Sequence, residues 1–261
     1  MSADQKFKID ISEKFPHLSR APIVEAIMEI RARAEGTWEE AALRTHFEPK
    51  LSGYAYLDTQ RLFQHQVKMQ VGQPPEQIVK DLGLKGVRFQ STDKLHIVQL
   101  NRDGFAFSRL QPYADWGEVS KEAMRLWHIY LEFARPTEVQ RIGVRFINRI
   151  QLSSREVDLD DYIQPSPQPP RALDVPFAGF MHYDTLAIPG SSYSVNVIRT
   201  IQVSPQPQTR GAALILDIDV FTTQPFDLSV GVVEQRLPEM RWLKNKVFFG
   251  SVTDQILKTF Q

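Results

Sequence analysis

Two stretches alternate strictly enough to fix much of the architecture. PIVEAIMEIRAR, residues 22–33, and QRIGVRFINRI, residues 140–150, place apolar side chains at nearly every second position. That period belongs to a strand with one buried face. In the first stretch Val24, Ala26, Met28 and Ile30 share the apolar face. In the second, Ile142, Val144 and Phe146 do. The opposite faces are charged, with Glu25 and Glu29 on one and Arg141, Arg145 and Arg149 on the other. Acids spaced by four and bases spaced by four predict two antiparallel neighbours at the centre of a sheet. Glu25 should then oppose Arg145, and Glu29 should oppose Arg141. Such pairs contribute roughly 0.2–1 kcal/mol each and penalise wrong registers.

The rest of the chain reads as further strands with helices laid on them. Residues 1–20 form a polar lead-in, and GTWEEAALRTHFEPK, 36–50, a short helix ending before Pro49. A long strand covers 54–71, with Phe63, His65, Val67, Met69 and Val71 on one face. After a break at Pro74 and Pro75 comes a meander, 86–91, 94–100 and 104–110, turning at STDK and NRDG. A helix starts at Asp115, where Asp115 and Glu118 have capping-box spacing. Val119, Ala123, Leu126, Trp127 and Tyr130 give it an apolar stripe. The pattern then recurs: a strand over 138–152, a short helix at DLDDYI, and a proline-rich connection at 164–170. Strands follow near 175–188, 193–204 and 212–222, then a helical stretch from about 228 to 248, interrupted at Pro238. A last short helix has Ser251 and Asp254 at capping spacing.

The predicted fold is therefore α+β, with an N-terminal half over 21–135 and a C-terminal half over 136–261 sharing a twisted antiparallel sheet. Each half runs strand, short helix, antiparallel meander, long helix. That order resembles the saddle topology of the TATA-binding protein family. It is a likeness of topology, which implies no function.

The 261 residues hold 31 Lys+Arg and 31 Asp+Glu, so no net charge draws the chain toward nucleic acid or anionic membrane. With no cysteine, disulfides, thiol nucleophiles and thiolate metal sites are excluded. The charged N-terminus lacks an apolar h-region, and no apolar run approaches a membrane span. These features predict a cytoplasmic protein with no membrane partner. The chain carries no P-loop, GxGxxG after a strand, HExxH, EF-hand loop or GxSxG elbow, and no cofactor is expected.

The outer face of the sheet is the candidate binding surface. It is expected to gather Arg31, Arg33, Gln64, Gln66, Lys68, Arg88, Arg141, Arg145 and Arg149, with Gln90 and Gln99 between. Amides and guanidiniums on a broad sheet suit a protein partner or, as the alternative, a nucleic-acid backbone. Asp217 and Asp219 in LDIDVF share a strand face and are weak candidates for a divalent-metal site, which gives a metal-dependent enzyme as the third reading. Thr185 and Asn196 are expected beside Asp219. The six histidines show no ligand spacing. His182, Asp184 and Arg199 are expected together. At the C-terminus Val252, Ile256, Leu257 and Phe260 form a stripe that should dock on the body or on a partner.

RAPIVEAIMEIR at 20–31, QRIGVRFINRI at 140–150 and VFFGSVTDQILKTF at 247–260, with the length, resemble a sporadically distributed, uncharacterised prokaryotic family of similar-sized proteins. The resemblance covers essentially the whole chain. It implies no established activity, cofactor or catalytic residue. The reading that follows is a non-enzymatic binding or adaptor protein that uses the exposed sheet face or the C-terminal segment.

Overall fold

A computed structural model describes residues 7–35, 38–70, 72, 74–153, 158–170, 172, 175, 179–203, 211–229 and 231–261. It is a mixed α+β structure built on a large antiparallel sheet. Nine strands make that sheet: β1 (Ile23–Arg31), β2 (Tyr54–Lys68), β3 (Glu76–Ser91), β4 (His96–Asn101), β5 (Gly104–Leu110), β7 (Arg141–Gln151), β8 (Met181–Ala187), β9 (Ser194–Val203) and β10 (Ala212–Thr222). Their order is β2-β3-β4-β5-β1-β7-β10-β9-β8. The short β6 (Glu138–Val139) pairs separately with β11 (Phe226–Asp227).

Alternation decides which face is buried. Ala26, Met28 and Ile30 of β1 point inward with Ile142, Val144 and Phe146 of β7, Leu216, Ile218 and Val220 of β10, and Phe105 and Phe107 of β5. The helices α1 (Glu40–Phe47), α2 (Trp116–Ala134) and α3 (Val232–Ser251) cover this face. The sheet is thus apolar toward the helices and polar on the other side, as a half-covered antiparallel sheet must be. Asp115 caps α2 by accepting from the Glu118 N–H at 3.1 Å, as its spacing predicts. α3 runs unbroken through Pro238, which lies on its exposed side, so the predicted interruption is absent.

The C-terminal stripe docks on the body. Val252 and Ile256 are buried, Val252 bridges Ile163, and the Arg20 N–H donates to the Phe260 carbonyl at 2.9 Å. Thr253 caps α4 (Asp254–Leu257). Ser251, the residue expected to do so, is instead the last residue of α3, because the apolar face keeps α3 helical that far. Residues 7–20, read as a lead-in, lie along α3. Phe15 stacks on Phe249 at 5.3 Å between ring centroids, and Glu13 accepts from Trp242 Nε1 at 2.9 Å and Lys246 Nζ at 2.7 Å.

Candidate functional site

The helix-free face carries a ladder of charge at its centre. β1 and β7 are antiparallel neighbours there, as their charge patterns predict, but the register is two residues away from the predicted one. Glu25 opposes Ile147, Ile27 opposes Arg145, and Glu29 opposes Gly143. A bulge between Ile23 and Glu25 accompanies this register. The acids of β10 explain why the charge pattern of two strands misled: Arg145 and Arg141 find partners on their other side. Arg145 Nε donates to Asp217 Oδ1 at 2.8 Å, which leaves the predicted Glu25–Arg145 pair unmade. Arg141 reaches Glu29 diagonally and also donates to Asp219 Oδ2 at 2.8 Å.

Gly143 makes room for that arrangement. A Cβ there would collide with the Arg141 guanidinium, which folds back over the glycine and sits 5.0 Å from the Phe221 ring centroid. Only 12% of the Arg141 side chain and 18% of Asp219 remain accessible. Burial raises the Asp219 carboxyl above its ordinary pKa, with Arg141 and Arg145 opposing that rise. The hydrogen bond that Arg145 donates to Asp217 raises its guanidinium above the ordinary arginine pKa. Asp217 and Asp219 share a face as predicted, and Asn196 opposes Asp219 with Thr185 Oγ1 2.9 Å from its amide oxygen. Both carboxylates are engaged by arginine. Among the described residues no group of three or more His, Cys, Asp or Glu side chains could hold a metal ion.

The other predicted residues fall in two places. Arg31 bonds Glu29 at 3.2 Å, Arg88 bonds Asp58 at 2.8 Å, and Arg149 donates to Gln151 at 3.0 Å. These stay on the sheet face, with Arg33 exposed beyond the end of β1. Gln64, Gln66 and Lys68 do not. They lie on an extension of the β2–β3 hairpin, opposite Lys80, Ile78 and Glu76. Beyond Gly86 no third strand pairs with β3 among the described residues, so residues 61–68 and 76–84 form a two-stranded arm. Eight residues of strand at ~3.3 Å each make it about 25 Å long. Leu62, Phe63, Val67, Met69, Val79 and Leu82 are exposed along it, from 46% for Leu62 to 81% for Met69. His182 opposes Arg199, which bonds Asp184 as expected.

A cavity of about 730 Å³ lies on the other side of the sheet, between α3, the start of α2, residues 11–23 and the inner face of β7. Phe15, Trp116, Phe146 and Phe248 wall it, and Arg241 lines it while exposed to solvent. Lys244 also lines it, with 9% of the residue accessible. Its Nζ stands 4.2 Å from the centroid of the Phe146 ring, and it makes no hydrogen bond or ion pair among the described residues. Burial, with the Arg241 charge adding to it, pushes the ammonium down to about 7. The signal was present in the sequence: Val233, Leu237, Met240, Lys244 and Phe248 recur at helical spacing. A lysine stands where the stripe calls for an apolar residue.

Comparison with protein-family models, curated proteins and solved structures gives no match in any of the three.

Proposed function

We propose that the chain is a non-enzymatic binding protein that takes a protein partner on the β2–β3 arm. The observation that carries this reading is the set of six large, exposed apolar side chains on a hairpin extension that pairs with no third strand among the described residues. Soluble proteins seldom leave such a patch in water unless something covers it. β2 is the last strand of the sheet, and three register irregularities along the hairpin suit a strand that must avoid indiscriminate pairing. The open sheet face next to the arm offers polar groups at its rim. Arginines already holding carboxylates have less to offer a phosphate, so the nucleic-acid alternative draws on Arg33 and Arg149. Asp217 and Asp219, engaged by Arg145 and Arg141, favour a structural role over metal chemistry.

The same reading takes the sheet as two similar halves in a saddle-like arrangement. What supports it is the way strands are laid outward from the β1–β7 centre. The order runs β1, β5, β4, β3, β2 on one side and β7, β10, β9, β8 on the other, so each half places its first strand against the last of its meander.

A photocrosslink tests the arm. A benzophenone side chain at Met69 should join the chain, in its source cell, to one protein species. The same group at Thr185, across the sheet, should not. Unlabelled wild-type chain should compete the product away, whereas unlabelled chain with residues 61–84 replaced by a two-residue turn should not, although its melting temperature stays within about 2–4 °C of wild type. Products spread over many proteins, or none, would remove the arm as the partner site.

A further inference from the structure

We propose that the cavity beneath α3 is a ligand site for a small organic monocarboxylate with an aromatic or short acyl body, its carboxylate held by Lys244. The size fits, since 730 Å³ lies within the range of about 300–1,000 Å³ that small-molecule sites occupy. The walls fit as well: Phe15, Trp116, Phe146 and Phe248 supply apolar and aromatic surface, which favours a ligand with a hydrophobic body. The charge is the specific part. Lys244 is nine-tenths buried and has the Phe146 ring but no anion beside it among the described residues, and buried charges are ordinarily paired.

The carboxylates near the cavity are committed elsewhere. Asp115 caps α2, and Glu13 is held by Trp242 and Lys246. What Lys244 lacks is therefore an anion from outside the chain. Arg241, exposed where the cavity meets solvent, adds a second positive charge on the way in. A monoanion suits one buried ammonium, because a second carboxylate beside Lys244 would find no second buried cation there to meet it. Asn148 adds a buried amide to the lining. Its amide nitrogen donates to the Leu216 carbonyl at 2.9 Å, while its amide oxygen accepts from no group among the described residues.

The test uses the full chain and matched probes. Binding of 3-phenylpropanoate, indole-3-acetate and octanoate is measured by calorimetry, each against its neutral primary amide. At least one carboxylate should bind at millimolar concentration or below, about tenfold or more tighter than its amide. Lys244→Met should erase that preference while still admitting the amide. Arg241→Gln, at an exposed position, should weaken the carboxylate by a smaller factor with the fold intact. If no carboxylate in the set binds folded protein, or carboxylate and amide bind alike, the proposal is overturned. Retention of the preference in Lys244→Met, or, should that variant not fold, in Lys244→Gln, would overturn it equally.

Discussion

Replacing Lys244 by methionine should stabilise the unliganded protein, and the gain should depend on pH in a defined direction. Moving the ammonium from its ordinary 10.5 to about 7 costs the native state about 5 kcal/mol, at about 1.4 kcal/mol for each tenfold in the protonation constant. Methionine has similar length and no charge, so it fills the same space without that cost. The expected gain at pH 7, where the native lysine is half neutral, is about 4 kcal/mol. Between pH 7 and 10.5 the native lysine is neutral and the unfolded one still charged, so the unfolded state binds more protons. Wild-type stability therefore rises with pH across this window through Lys244. The methionine variant lacks that slope, and its advantage is largest at pH 7 and below and vanishes toward 10.5. Denaturant melts followed by tryptophan fluorescence, run between pH 7 and about 10, measure the difference. A variant less stable than wild type at pH 7, or an advantage that does not shrink as pH rises, would refute the reasoning.

Three further outcomes follow from the sheet and the C-terminus. Gly143→Ala should cost about 1–3 kcal/mol by displacing the buried Arg141 guanidinium from Glu29 and Asp219, and it should add little in an Arg141→Ala background; denaturant melts of the single and double variants check both. A double-mutant cycle should find a coupling of about 1 kcal/mol between Arg145 and Asp217 and close to none between Arg145 and Glu25, with the first shrinking only modestly in salt because Asp217 is buried. Ending the chain after Gly250 removes the buried Val252 and Ile256, and calorimetry should show a loss of at least about 2 kcal/mol.

Much of the sheet was legible because burial writes itself into the sequence with period two. The central pairing of β1 with β7 and the meander turns at 91–94 and 101–104 were readable for that reason. The α2 cap was readable from its side-chain spacing. The register was not, because the arginines of β7 have acids on both flanks, and Asp217 and Asp219 outcompete Glu25. Residues 76–85 went unassigned for a different reason. EQIVKDLGLK is exposed through most of its length and, unlike the facing stretch from Phe63 to Met69, shows no period-two alternation. Only the β2 side of the arm was therefore legible as a strand. Lys244 was overlooked because counting apolar residues registers a lysine as a gap in the stripe. The informative step is to ask what a charge would meet at that position on a helix face that is otherwise buried.

Occupancy of the cavity should be felt by the N-terminal segment and not by the arm. Residues 11–18 form one wall of the cavity and are held to α3 by the Phe15–Phe249 stack and the bonds of Glu13, and just beyond them Arg20 makes a backbone bond to Phe260 near the C-terminus. Those few contacts are weaker than the sheet ladders, so this segment should open locally at low cost, as loosely packed segments do. A ligand enclosed by the segment has to be released, or exposed, when it opens. Bound at ten times its dissociation constant, it therefore adds about 1.4 kcal/mol to the opening, which slows exchange of the protected amides about tenfold. Hydrogen exchange read by mass spectrometry with and without 3-phenylpropanoate should show this slowing over residues 9–20, with 61–84 unchanged. The arm extends from β2 and β3 at the far edge of the sheet, and none of its residues lines the cavity. Slowing confined to the arm would mean that the carboxylate binds its exposed apolar side chains, and the cavity would lose its claim. Slowing in neither region, with binding established by calorimetry, would place the ligand somewhere that the N-terminal segment does not close.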